Sequence, residues 1–316
     1  MILVILKKYL YIALTLISFA LVAQRKYEAF DIVEEGVIVP PNGILLSGNT
    51  FMDDSEVMNS HYLEYLHFLS QDSSDASIIK AYPDTTIFGK AHLNKFLQYQ
   101  KEYYKKKGNK HKPVSLLFHD EVMHEPSSKH HWYNYFSYHG TKHCPVVGIT
   151  YEQALNYCKW RSDFVSGYFN SVLKKKSKYK ALKDKNIRFE FSLPTEAEWN
   201  TAASAGLDIA LFPLGVDEIR NDSSQMFNIH FSNESLKGKN KNEPEFIFSH
   251  VPNSAGYYNF IGNVSEMVLS KGISKGGGFI HTAQECRISN QIVYMKPEKW
   301  LGFRCVCRVY ISPLVN

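Results

Sequence analysis

The chain reads as an α+β fold of few short helices and strands with much irregular structure between them. Two capping boxes mark short helices: Thr150 with Gln153 three residues later, and Thr195 with Glu198. Apolar runs elsewhere are brief and broken by Pro, Gly and Asn, as at Pro40-Pro41-Asn42-Gly43 and Gly48-Asn49, the pattern of strands and turns. Twenty Tyr and 20 Phe in 316 residues supply bulky apolar surface, so a core can form around few regular elements.

In chain order, Lys7 and Lys8 precede the apolar run Tyr9–Leu21, with small residues at Ala20 and Ala23. Residues 1–23 therefore read as a secretory signal, too short for a comfortable membrane span, with an uncleaved anchor as the alternative. Residues 24–36 read as a leader and 37–316 as one domain with insertions at about 84–143 and 170–187. Val37–Met52 predicts strands and turns. Asp54–Leu69 predicts a helix, since Val57, His61, Tyr62, Tyr65, Leu66 and Leu69 recur at helical spacing and Asp53, Asp54 or Ser55 can cap it. Residues 70–143 are the least regular. Pro145–Ile149 is a brief strand or turn, and the helix after Thr150 turns Ala154, Leu155, Cys158, Arg161, Ser162 and Val165 inward. Lys174–Lys185 is a charged excursion before a strand at Arg188–Leu193. Trp199 falls on the buried face of the helix that Thr195 caps. Loops dominate from Ala205 to Lys275, and strands are expected at Ser274–Ile280 and Gly302–Ile311. No internal repeat is visible.

The net charge of +5 gathers in Lys105–Lys107 and Lys174–Lys176. Lysine runs in polar surroundings are solvated loops, and an exported chain rarely meets nucleic acid, so no nucleic-acid role is expected. Seven of 13 His lie between His111 and His143, without regular zinc spacing, and read as solvated or packing residues. Five cysteines leave at least one unpaired. Cys305 and Cys307 share a face if their segment is a strand. Lys275-Gly276-Gly277-Gly278 lacks phosphate-loop spacing and reads as a strand that other backbone approaches closely. Arg304 reads as structural, paired with a buried carboxylate such as Glu196 or Glu198, with Glu266 in the same kind of role.

Five blocks occur in order: Val57-Met58-Asn59…Tyr62…Tyr65-Leu66; Pro145-Val146-Val147-Gly148-Ile149-Thr150-Tyr151…Ala154…Tyr157-Cys158-Lys159-Trp160; Leu193-Pro194-Thr195-Glu196-Ala197-Glu198-Trp199; Gly262-Asn263-Val264-Ser265-Glu266; and Gly276-Gly277-Gly278-Phe279 followed by Gly302-Phe303-Arg304-Cys305. Together they resemble the formylglycine-generating enzyme (sulfatase-modifying factor) family from about Val39 to the end. The resemblance implies that family's modified C-type-lectin-like fold.

In catalytic members, copper is held by two thiolates just after the Gly-Gly strand, a soft site suited to Cu(I). Here His281 and Ala283 stand in that stretch, with no cysteine before Cys286. An imidazole cannot replace a thiolate in that chemistry, so the resemblance implies neither copper nor cysteine oxidation here. Cys158 and Cys305 match positions that form a disulfide in the vertebrate-type enzyme. Its second bridge would need a cysteine near Ala203 opposite Cys286, leaving the pairing of Cys144, Cys286 and Cys307 open. The resemblance also implies calcium, at Asn228 with the Ile229 carbonyl and at Asn263 with Glu266, where oxygen ligands suit a hard cation. No clear aspartate completes the first site, and Ser265 replaces the usual aromatic in the second. The alternative is that these side chains satisfy loop backbone groups.

Tyr82-Pro83-Asp84-Thr85, Tyr133–Tyr138 and Cys158-Lys159-Trp160-Arg161-Ser162 are similar to the gliding-motility and type IX secretion proteins of Bacteroidetes, which lack the copper cysteines. The expectation is a non-catalytic envelope component in the periplasm or cell envelope, with protein partners, and membrane association only through them or an uncleaved signal. Two alternatives stay open: an oxidoreductase with a non-haem metal centre that includes His281, and a lectin-like glycan or peptide module with an aromatic groove within residues 205–290.

Overall fold

The structure, a computed structural model, describes residues 29–32, 36–72, 74–88, 93–94, 97–98, 135–136, 139–208, 227, 229 and 243–314. The signal at 1–23 and most of the 84–143 insertion, with most of its histidines, lie outside the described residues.

The helices are α1 (Asn59–Asp72), α2 (Asp75–Ala81), α3 (Thr85–Phe88), α4 (Tyr151–Ser171) and α5 (Glu196–Ser204). The strands are β1 (Gly43–Ser47), β2 (Thr50–Asp53), β3 (Lys185–Ser192), β4 (Ser265–Met267), β5 (Ile273–Lys275), β6 (Ile292–Val293), β7 (Leu301–Gly302) and β8 (Val306–Pro313). They form an antiparallel sheet β1-β2-β8-β3 and a mixed sheet β6-β5-β4-β7 in which only β4 and β7 run parallel. Mixed helices and strands in two small sheets make this an α+β fold.

Both capping boxes form. Thr150 and Thr195 each accept a backbone N–H three residues on, while Gln153 and Glu198 reach back to the cap N–H. Trp199, on the first turn of α5, is fully buried. Cys305, just before β8, and Cys307 within it fall in one apolar cluster, and Val306 between them in another.

α1 starts at Asn59, later than expected from Asp54, and none of Asp53, Asp54 or Ser55 caps it. Asp53 is in β2, bound to Arg161, and Met58 bridges Pro145, so tertiary partners hold this stretch extended. The expected strand Ser274–Ile280 ends at Lys275, because Gly276 and Gly277 take φ of +82° and +67°, left-handed values that a strand excludes. The expected strand Gly302–Ile311 splits into β7 and β8, which lie in different sheets with Phe303-Arg304-Cys305 crossing between them. The segment after α4 is more than a charged excursion. Two 3₁₀ turns, Leu173–Lys175 and Ser177–Leu182, bury Leu173, Tyr179 and Leu182 in the core, and Tyr179 packs on Phe169 at 5.0 Å.

β3 is an edge strand, and α4 covers its open side with polar side chains. Ser162 Oγ accepts the Phe191 N–H (2.8 Å), Ser166 Oγ the Phe189 N–H (3.0 Å), and Asn170 Oδ1 the Ile187 N–H (3.2 Å) while its Nδ2 donates to the Ile187 carbonyl (2.6 Å). Four helical residues rise about 6 Å and two strand residues about 6.7 Å, so the two series stay in step. Ser162→Ala leaves the buried Phe191 N–H without an acceptor. The expected loss is about 1–3 kcal/mol, read from the midpoint of urea unfolding.

Candidate functional site

The two sheets meet around buried charge. Arg304 follows β7 and carries its guanidinium to Glu266 of β4: Nη2 donates to Oε1 (2.5 Å) and Nε to Oε2 (2.7 Å), with both side chains out of solvent. Trp199 Nε1 donates to the same Oε2 at 2.8 Å. Arg304 also donates to the Tyr258 and Asp53 carbonyls and lies 3.9 Å over the Phe260 ring. Burial works against its charge, but Glu266, together with Glu56 and Asp53, outweighs burial and raises its proton affinity above the usual arginine range. Lys275 Nζ lies 5.6 Å over the Trp199 ring, and burial lowers the proton affinity of its amine. A second pair joins Arg161 of α4 to Asp53 of β2 through Nη1–Oδ2 (2.5 Å) and Nη2–Oδ1 (2.9 Å). Asp53 Oδ2 also accepts the Cys305 N–H.

Glu56, in the same buried run as Asp53 and Asp54, is 2% exposed. Asn263 Nδ2 donates to its Oε1 (2.9 Å) and Asn259 Nδ2 to its Oε2 (3.0 Å). Both asparagines have left-handed backbones, φ +54° and +56°, which Asn tolerates better than most residues and which turn their amides inward. Burial raises the Glu56 carboxyl to about 7, opposed by Arg304 and reinforced by Glu266.

Beside the glycine strand, His281 is buried, its Nδ1 accepts the Gly278 N–H (2.9 Å), and Trp300 stands edge-on at 4.8 Å. Burial lowers its proton affinity, so the ring is neutral near pH 7. Cys286 is fully buried, and burial raises its thiol far above the range in which a thiolate forms. A Cβ on Gly277 would lie 2.3 Å from the Cys286 Sγ, so glycine is required there. Among the described residues, no group of three His, Cys, Asp or Glu is arranged to hold a metal. The non-haem reading therefore draws no support from around His281.

The sequence matches the sulfatase-modifying factor enzyme 1-like domain over residues 26–309. The chain belongs to that family. No curated protein matches it. Among solved structures it is similar to Treponema denticola variable protein 1, at 14% identity over 82% of this chain and 84% of that one, with a TM-score of 0.43. PvdO from Pseudomonas aeruginosa is similar at 19% identity over 53% of this chain and 63% of that one, TM-score 0.39. CarF is similar at 19% identity over 56% and 71%, TM-score 0.35.

Within this sulfatase-modifying factor domain, the stretch after the glycines offers no thiolate pair: His281 turns Nδ1 to a backbone N–H, and Ala283 has no donor. Glu266 gives both carboxylate oxygens to Arg304 and Trp199, and Asn263 Oδ1 accepts the Glu245 N–H at 2.8 Å. The calcium reading gains no support from that arrangement, and Asn228 lies outside the described residues. Arg304 pairs with Glu266 rather than with Glu196 or Glu198. Glu198 serves Arg308, and Glu196 accepts from Gln291. Cys158 and Cys305 come together with their sulfurs 3.7 Å apart and unbonded. Ser265, in place of the family's aromatic, donates to the Ser274 Oγ and the Lys275 carbonyl.

A groove of about 410 Å³ lies between α1, α2 and α4, lined by Tyr65, Lys80, Lys159, Trp160 and Asp163 among others, and not within residues 205–290. Its indole is engaged by the rings of Tyr65, Phe68, Tyr157 and Phe164. Sequence reasoning missed Glu56, Asn259 and the Asp53–Arg161 pair, because the acidic run 53–56 reads locally as a helix cap. The available signal was four acidic or hydroxyl residues in a row flanked by apolar ones on both sides. Arg304→Met leaves the Glu266 carboxylate buried and unpaired. The expected cost is about 3–5 kcal/mol by chemical denaturation, and adding Glu266→Gln recovers part of it.

Proposed function

We propose that this chain is a non-catalytic member of its family, an exported structural or binding component of a bacterial cell envelope working with gliding-motility or type IX secretion proteins. The observation that carries this reading is the chemistry beside the glycine strand. Where catalytic members present a thiolate pair, this chain presents a neutral His281 facing a backbone N–H and a Cys286 thiol sealed against Gly277. A neutral imidazole and a buried thiol are not the thiolate pair that suits Cu(I) and nucleophilic attack. Among the described residues no helix is long and apolar enough to cross a membrane, so attachment to an envelope would run through protein contacts or the N-terminal segment.

Competition between the reduced protein and a Cu(I) chelator tests the chemical half of the proposal. The chelator is expected to keep the metal. A stoichiometric site that disappears in Cys286→Ser would defeat the non-catalytic reading. Crosslinked recovery of the tagged protein from its native envelope tests the other half. Secretion or motility subunits at matching stoichiometry are expected, and recovery of the chain alone counts against the scaffold role.

Export carries a covalent corollary. The Cys158 and Cys305 sulfurs are already in contact, so an oxidising compartment favours their bridge. In the chain-entropy model a loop of this length stabilises by about 5 kcal/mol. Non-reducing peptide mapping of the protein from its native compartment should recover the two cysteines in one linked fragment. Two free thiols there would speak against both the bridge and the compartment.

A further inference from the structure

Three helices each present one stripe of side chains to the groove of about 410 Å³. On α4, Asn156, Lys159, Trp160 and Asp163 stand at i, i+3, i+4 and i+7 and so share a face. α1 adds Tyr65 and Leu69, one turn apart, and α2 adds Lys80. The walls are fastened to one another. Gln153 Nε2 of α4 donates to the Lys80 and Tyr82 carbonyls (2.8 and 2.9 Å), and the Tyr62 hydroxyl of α1 donates to the Ala81 carbonyl (2.8 Å). Folding itself therefore sets the width of the groove, and its volume falls in the range of about 300–1,000 Å³ common to ligand clefts.

The same bonds decide what the groove can recognise. They occupy the carbonyls at the end of α2, so that wall offers donors rather than acceptors. Lys80 and Lys159 are exposed and come from different helices. Among the described residues neither makes an ion pair, although Asp163 stands one turn from Lys159. Tyr65 is only 4% exposed, and its hydroxyl makes no hydrogen bond. Burial raises that hydroxyl to about 12, so at neutral pH it is a donor. A nearly buried hydroxyl left unbonded is costly, and an acceptor entering the groove removes the cost. The Trp160 indole is already packed by four aromatic rings, so it gives apolar contact rather than an open face for stacking a sugar.

We infer that the groove binds the C-terminal end of a peptide. Lys80, Lys159 and the Tyr65 hydroxyl receive its terminal carboxylate, and Leu69 and Trp160 receive its last, apolar side chain. Two lysines against one aspartate give the rim the charge that an anion needs, and hydrogen bonds between charged groups are the strong ones. Asn156 and Asp163, on the face that carries Lys159, supply acceptors for the N–H groups of a peptide, which a simple carboxylic acid lacks. The groove is open to solvent, so the rest of the chain can leave it. The envelope role can hold whether or not this groove is filled.

Calorimetric titration of the full chain with an N-acetylated tetrapeptide ending in leucine, with its C-terminal amide and with free leucine tests the inference. The acid is expected to bind about tenfold or more tightly than the amide, and more tightly than free leucine. Lys80→Gln with Lys159→Gln changes two exposed side chains outside the core. It should weaken the acid by about tenfold or more and leave the amide unchanged. Tyr65→Phe, which keeps the ring, should weaken the acid as well. Equal affinity for acid and amide overturns the site, as does wild-type affinity in the double variant or no binding of the acid at about 1 mM. Free leucine binding as tightly as the peptide acid overturns the assignment to a peptide end.

Discussion

The Arg304 guanidinium sits where the chain leaves one sheet and enters the other, and the placing of both sheets depends on it. From one side chain it reaches Glu266 on β4, the Asp53 carbonyl at the end of β2 and the Tyr258 carbonyl on the segment before β4. Through Glu266 it also fixes Trp199 and with it α5. Each of these contacts is a hydrogen bond in an interior from which water is excluded, so a displaced partner leaves a charged group unanswered. That penalty, more than any net gain from pairing, makes a single arrangement of the two sheets favourable.

The Arg161–Asp53 pair extends the same constraint to α4. Asp53 links Arg161 on the helix, the Cys305 N–H before β8 and, through its carbonyl, Arg304. The two arginines are thus coupled through one residue of β2. Aromatic rings lie over both guanidinium groups, Phe191 at 4.1 Å and Phe260 at 3.9 Å, and add cation–π attraction where hydrogen bonding is complete. Short strands suffice in this fold because the interior polar contacts define positions that longer ladders define in other sheets.

What could be read from the sequence follows from how local each signal is. The boxes at Thr150 and Thr195 are closed by residues three positions away, so their spacing alone reveals them. The alternation of Cys305, Val306 and Cys307 is equally local. The partner of Arg304 is 38 residues distant, and nothing in its own neighbourhood distinguishes Glu266 from Glu198. Glu56 escaped notice for the opposite reason: its neighbours Asp53, Asp54 and Ser55 suggest a helix cap strongly enough to hide a carboxyl whose amides lie about 200 residues away. The glycine run was correctly read as a place of close approach. Its left-handed turn was not, because glycine permits a strand and a turn alike.

The hydroxyl and amide row of α4 along β3 has a consequence for association. An open strand edge is a template on which another chain can add itself, and repeated addition produces fibres. On this molecule Ser162, Ser166 and Asn170 occupy that template from within the same chain. A neighbour in an assembly cannot extend the first sheet on that side without first displacing a helix of 21 residues. Growth by strand addition is blocked there, and contacts with other subunits are left to side-chain surfaces, where recognition is selective and finite in number.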